Sequence, residues 1–301
     1  MKIVWTIRPW ERWTLGLIAL VLAVGGAVFW GAWREAHSDP VIARYIVPVA
    51  GIGSPVSIAF VSDTHVNQDA LVSSVDTGRL RRVVGAVNAL SADIVLLGGD
   101  YVATSHRSGD VSFAEAVAPF AGLRSRYGTY AVIGNHDCQE PQNTTAVMSA
   151  ALSSARVVPL VNRSVQTGPI QVAGLDDLWC GESDIGTASR AISASSRRPV
   201  VLVSHNPDVF PSVPSGIALT LAGHTHAAQI VPPLIGPIVS VSRYGQRYRY
   251  GMIVEKGRRM IVSSGIGGLP LRLNAAPEIV LVTLRPTATG SSGEPEASRS
   301  R

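Results

Sequence analysis

Five short apolar runs between residues 57 and 226 each end in acidic, amide or imidazole side chains, and this repetition constrains the fold most. They are SIAFVSD (57–63), DIVLLGGD (93–100), TYAVIGNHD (129–137), PVVLVSHNPD (199–208) and IALTLAGHTH (217–226). Runs that are apolar at nearly every position, rather than at alternate ones, read as strands buried on both faces. Between the first two, Leu71, Val75, Leu80, Val83, Val84, Val87 and Leu90 recur at helical spacing, predicting a helix over 71–90. Further helices are expected over 112–125, 143–154 and 186–196. Residues 157–162 and 170–177 read as a hairpin pair. Antiparallel strands are expected over 238–243, 248–255, 259–264 and 278–284. The fold class expected is α/β: a sandwich of two mixed sheets, flanked by helices that cover the outer faces.

The polar ends of these runs carry the chemistry. Of seven histidines in the chain, His65, His136, His205, His224 and His226 follow expected strands, together with Asp63, Asp100 and Asn135. Ligand sites in open α/β sheets gather at the carboxyl ends of strands. One histidine in such a place is ordinary structure, and one aspartate there is an ordinary helix cap. Five strand ends repeating the pattern indicate a site. Its donors are nitrogen and oxygen without sulfur, which suits manganese, iron or catalytic zinc. Seven donors exceed one ion's needs. They suit two divalent ions sharing a carboxylate, the arrangement used for in-line displacement at phosphorus. His224 and His226 sit at alternate positions and so point to opposite sides of an extended segment, with Gly223 before them allowing close backbone approach.

The ordered blocks SDTH (62–65), GGD (98–100), GNHD (134–137), SHNPD (204–208) and GHTH (223–226) resemble the signature of the calcineurin-like metallophosphoesterases. The trailing YRYG, SSGIGGLPLR and APEIVLVTL are similar, more loosely, to a membrane-associated or exported bacterial phosphodiesterase branch. The resemblance implies the metallophosphoesterase β-sandwich over 56–286 and roles for each residue. Asp63, His65 and His226 would bind one metal, Asn135, His205 and His224 the other, and Asp100 both. A bridging hydroxide would attack phosphorus, with His136 over the phosphate, stabilising charge or protonating the leaving oxygen. Two departures from the family stand out. Many relatives carry a second aspartate where this chain has Ala103, so the partner that orients His136 is open, with Asp137 a candidate. The branch commonly has two glycines where Ala227 and Ala228 precede Gln229; the added methyls either narrow the pocket or are tolerated.

Residues 14–33, TLGLIALVLAVGGAVFWGAW, contain no charge and match the length needed to cross a bilayer. Trp5, Trp10, Trp13, Trp30 and Trp33, five of six tryptophans, flank the run as interfacial belts do. No small-residue cleavage pattern follows directly, which favours a retained anchor over a signal peptide. The expected plan is a cytoplasmic segment 1–13, a transmembrane helix 14–33, a linker with an approach strand 34–55, the catalytic domain, and a disordered tail 287–301. Lys2, Arg8 and Arg12 precede the run, against Arg34 and Arg44 after it. This places the protein as single-pass in the inner (plasma) membrane with its catalytic domain outside. The net charge of +5 suits anionic surfaces or phosphorylated ligands. No basic stripe or DNA-binding motif is present, so no nucleic-acid partner is expected. Cys138 and Cys180 either pair or remain thiols.

Two stretches bear on the substrate. SRYGQRYRYG (242–251) reads either as an anion-recognising rim or as an edge hairpin. IVPPLIGPIV (230–239) reads either as a surface for acyl chains or membrane, or as a rigid connection packed on the core. The function expected is a membrane-anchored phosphodiesterase or phosphohydrolase with a phosphate-ester substrate, lipid-linked in preference to a nucleotide. The alternatives are a pyrophosphohydrolase of a nucleotide-activated glycolipid (UDP-diacylglucosamine type) and a catalytically silent metal-binding scaffold.

Overall fold

A computed structural model describes residues 8–103, 109–138, 144–181, 185–186 and 198–287. The chain opens with a long helix, α1 (Pro9–Ala36), followed by β1 (Val41–Val49), the approach strand. Then come β2 (Val56–Val61), α2 (Thr77–Ala89), β3 (Ile94–Leu97), α3 (Phe113–Val117), β4 (Thr129–Ala131), α4 (Thr145–Ser154) and β5 (Val158–Pro159). The second half runs β6 (Arg163–Thr167), β7 (Ile170–Gly174), β8 (Val200–Val203), β9 (Ile217–Ala222), β10 (Gly251–Glu255), β11 (Arg258–Val262) and β12 (Glu278–Pro286).

Two six-stranded mixed sheets result. One has the order β1-β12-β2-β3-β4-β5, and the other β10-β11-β9-β8-β7-β6. In the first, β2 to β5 are parallel, and in the second β7, β8, β9 and β11 are parallel. The apolar runs are continuous because each strand is covered twice. In β2, Ile58 and Phe60 pack between the sheets against Val201, Val203, Leu219 and Leu221. Ala59 and Val61 of the same strand face the helices, with Leu80, Val83, Val84 and Val87 of α2 and Met148 and Leu152 of α4. A third cluster covers the outside of the second sheet around Leu202, Phe210, Tyr248 and Met260.

Several elements differ from expectation. The helix expected from residue 71 begins at Thr77, because Asp76 caps it by accepting from the Arg79 amide. The hairpin is β6–β7, closed at Gly168 with φ 52°. Residues 158–159 instead join β4 in the other sheet. β12 is not antiparallel throughout: it crosses to the first sheet, antiparallel to β2 and parallel to β1. No strand forms over 238–243, where Pro232, Pro233 and Pro237 break the preceding run and remove backbone donors. Residues 187–196 of the helix expected at 186–196, and the tail from 288, lie outside the described residues.

α1 is long and apolar enough, by length and composition, to cross a membrane, and its side chains are almost wholly exposed. Only its last turn docks on the domain. Ala32 and Ala36 are buried. Ala32 O accepts from the Arg272 amide, and Glu35 accepts from the amides of Asn274 and Ala275. The Arg79 guanidinium donates to the Ala36 and Ser38 carbonyls.

Candidate metal centre

The carboxyl ends of β2, β3, β4, β8 and β9 meet at one edge of the sandwich and deliver all eight candidate residues to one place. Asp63 and His65 follow β2, and Asp100 follows β3. Asn135 and His136 sit on a single 3-10 turn after β4, His205 follows β8, and His224 and His226 follow β9. Five of them occupy the left-handed region: Asp63 (φ 57°), His65 (44°), Asp100 (54°), His224 (68°) and His226 (49°). Non-glycine residues rarely adopt it, and such strain concentrates at functional sites.

Two groups of donors share this edge. Nε2 of His65 lies 3.1 Å from Nε2 of His226, 3.4 Å from an Asp100 oxygen, and His226 Nε2 lies 3.6 Å from Asp63. Nε2 of His205 lies 3.2 Å from the same Asp100 oxygen, 3.2 Å from Asn135 Oδ1 and 3.2 Å from His224 Nδ1. The Asp100 carboxylate therefore stands between the groups. His224 and His226 go to different ones, with the turn at Thr225 separating them. A Cβ on Gly223 would collide with Asp63 Oδ2 and Ser62 Oγ, so the glycine is required there.

These contacts are not ordinary hydrogen bonds. His205 Nδ1 lies 2.8 Å from the Gly98 carbonyl, which only accepts, so Nδ1 carries the proton and Nε2 presents a lone pair. That lone pair faces a carboxylate, an amide oxygen and an imidazole nitrogen. His224 Nε2 is buried without a hydrogen-bond partner. Converging acceptors without a donor fit a cation. Without one, a proton takes its place: burial disfavours the charge, but Asp100, Asp63 and Asp177 outweigh it and push His205 up to about 10. Burial opposes ionisation of Asp100, yet His205 and His65 hold it well below the usual range. Burial, reinforced by His205, lowers His224 to about 3.

The His136 ring packs edge-on to His65 with centroids 4.7 Å apart, and burial lowers it to about 4. Asp137 is not its partner. The Asp137 carboxylate accepts from the amides of Asp100, Tyr101 and Gly134, tying β3 to β4 beneath the site. Burial and Asp100 push its pKa up to about 7, against those donors. Ala103 instead lines, with His65, His136, His226, Gln229 and Leu269, a cavity of about 280 Å³ in front of the donors. The backbone at Ala227 (φ 53°) and Ala228 (φ 67°) explains why glycine suits these positions; here alanines adopt it.

Three residues were not singled out by sequence reasoning. Trp179 presents its ring edge-on to His224 at 4.4 Å, and Asp177 Oδ2 is buried without a partner. Arg272 is fully buried, donates to the Gly267 and Ala275 carbonyls, and stands 3.4 Å from His226 Nδ1. Its stretch, 263–272, carried a branch resemblance but no assigned role. Cys138 and Cys180 are disulfide-bonded, Cα atoms 6.0 Å apart, joining the Asn135–His136 turn to the Asp177 loop. Two arginines of 242–251 have protein partners. Arg247 pairs with Glu255 at 2.7 Å and Arg249 donates to the Ala227 carbonyl.

A two-sheet sandwich that gathers carboxylates and imidazoles at one strand edge defines a metallohydrolase. Comparison with known families agrees: residues 56–228 match the calcineurin-like phosphoesterase model. The chain belongs to this family and is a metal-dependent phosphoester hydrolase with divalent metal ions as its cofactor class. Among similar proteins, the Bacillus subtilis metallophosphoesterase YkuE is 30% identical over 90% of this chain and 94% of its own. The Escherichia coli phosphodiesterase YaeI is 29% identical over 77% of this chain and 83% of its own. A bovine transmembrane protein with a metallophosphoesterase domain is 29% identical over 89% and 61%.

Proposed function

We propose that this chain is a membrane-anchored phosphodiesterase that works with two divalent cations, manganese, iron or zinc. The observation that carries the reading is the single Asp100 carboxylate shared by two groups of converging lone pairs. Asp63, His65 and His226 would hold one cation, Asn135, His205 and His224 the other, and Asp100 both. Such a pair supplies Lewis acidity and acidifies water for in-line attack on a phosphate ester. The residues do the rest. His205 is fixed in its Nδ1–H tautomer by Gly98. His136 lines the cavity in front of the donors and is neutral at pH 7. It donates a hydrogen bond to the phosphate or the leaving oxygen.

The anchor reading is supported by α1 and by the similar proteins named for a transmembrane segment. An external catalytic domain is supported by the disulfide, which suits an oxidising compartment, and by the basic excess before α1. The same disulfide weighs against a cytosolic nucleotide-linked substrate. A lipid-linked phosphoester fits the tether and the apolar surface beside the cavity.

The test is hydrolysis of a chromogenic bis-aryl phosphodiester by metal-loaded protein. Turnover is expected with Mn²⁺, and His136→Gln should lower it about 10²-fold, more for poor leaving groups. A fully metal-loaded protein with no turnover would support the silent-scaffold alternative instead. A topology reporter after Arg301 tests the orientation.

A further inference from the structure

We infer that residues 230–241 form a lip that dips into the bilayer holding α1, and that the apolar cavity behind it receives a hydrocarbon chain of an amphiphilic phosphoester. The inference rests on the membrane-tethered hydrolase reading proposed above. It starts from what this loop exposes. Leu234, Ile235, Ile238 and Val239 are exposed, Leu234 completely, and Leu269 beside them is exposed as well. The loop carries no charged residue from Ile230 to Ser242. A contiguous apolar surface of this kind on a soluble face is unusual and marks a contact with a partner or a membrane.

The occupant follows from where the loop is rooted. Ile230 forms a β-bridge with Leu273, the Val231 amide donates to Leu273 O, and the Asn274 amide side chain donates to Val231 O. The same short segment is the one that docks α1: Arg272 bonds Ala32, while Asn274 and Ala275 bond Glu35. The lip and the end of the apolar helix are thus both fixed to residues 272–275. A helix that spans the bilayer up to its last turn brings the loop to that membrane surface. Prolines at 232, 233 and 237 limit the freedom lost when the loop is held there.

Behind the lip lies a cavity of about 210 Å³, lined mainly by apolar groups of Ala228, Ile230, Val239, Val241 and Leu269. It shares His226, Gln229 and Leu269 with the cavity in front of the metal donors. A phosphoester seated at the donors can therefore lay a hydrocarbon chain through this slot toward the lip without leaving the leaflet.

Depth and chain length test the two halves. The full chain is reconstituted in phosphatidylcholine–phosphatidylglycerol vesicles with a nitroxide on Leu234→Cys or Ile235→Cys. Leu20→Cys within α1 and Val254→Cys on β10 are the references. Labels at 234 and 235 are expected to be open to oxygen and shielded from an aqueous nickel chelate, like the label at 20. Labels as nickel-accessible as that at 254 overturn the lip. If the protein does not float with vesicles, the anchoring reading falls and the lip with it. For the slot, soluble phosphodiesters with chains of increasing length should gain about fourfold in kcat/KM per buried methylene. A flat series overturns the slot while leaving the metal chemistry standing. Absence of turnover for every diester overturns the hydrolase reading and the slot together, and the label depths still decide the lip.

Discussion

One oxygen of the Asp100 carboxylate lies 3.2 Å from Nε2 of His205, and the same oxygen is 3.4 Å from Nε2 of His65. No other side chain touches both donor groups in this way among the described residues. Asp100→Asn keeps the shape and removes the charge. It should lower phosphodiester turnover roughly 10³-fold or more and reduce bound metal. Turnover and metal content by elemental analysis check this; wild-type values for both would remove Asp100 from its bridging role.

The proton on His205 sets the pH dependence of metal binding. With no cation, His205 titrates near 10, so it is protonated across pH 6–9 and must lose that proton to offer its lone pair. Metal affinity should therefore rise with pH, by roughly tenfold per unit for one released proton, and level off near pH 10. Titration calorimetry in buffers of different ionisation enthalpy counts the protons directly. An affinity independent of pH would mean that His205 is already neutral.

Gly223 is the point at which β9 passes closest to Asp63. Gly223→Ala places a methyl against Asp63 Oδ2 and Ser62 Oγ. The expected costs are about 1–3 kcal/mol of stability and at least ~10²-fold in activity, because the displaced carboxylate misorients its group of donors. Thermal denaturation and steady-state kinetics together check it. A fully active variant would show that the strand end has room to move.

Ala227 and Ala228 hold left-handed backbone that costs an alanine about 1–2 kcal/mol. Glycine relieves this but adds freedom to the unfolded chain, so Ala227→Gly and Ala228→Gly should each stabilise by up to about 1 kcal/mol. Ala151→Gly, within α4, should destabilise by about the same amount. Opposite shifts in Tm for the same chemical change would confirm that backbone conformation, not packing, decides these positions.

The disulfide joins Cys138, at the end of the Asn135–His136 turn, to Cys180, 42 residues further on. Cys180→Ser should lower stability by about 4 kcal/mol on the loop-entropy model. It should also weaken activity, since Cys138 follows directly on Asn135, His136 and Asp137. Unchanged melting with and without reductant would remove the bond from the stability of the domain.

Much of this protein is determined locally. Apolar runs long enough to be covered on both faces read as interior strands, so β2, β3, β4, β8 and β9 were legible from residue type alone. So were the eight polar residues at their ends, because a run covered on both faces ends where its side chains turn polar. The uncharged stretch at 14–33 determined a long helix by the same logic. Other features depend on which segments meet, and no local property encodes that. β12 joins β1 and β2 across the length of the chain, and residues 158–159 leave their neighbours for the other sheet. Asp137 sits beside the expected catalytic histidine, yet its carboxylate is taken by three backbone amides. Arg272 has no sequence neighbour to mark it, and only folding buries it between the end of α1 and His226. Residue type sets what each segment can bury or ligate; long-range packing alone decides which of those groups share a site.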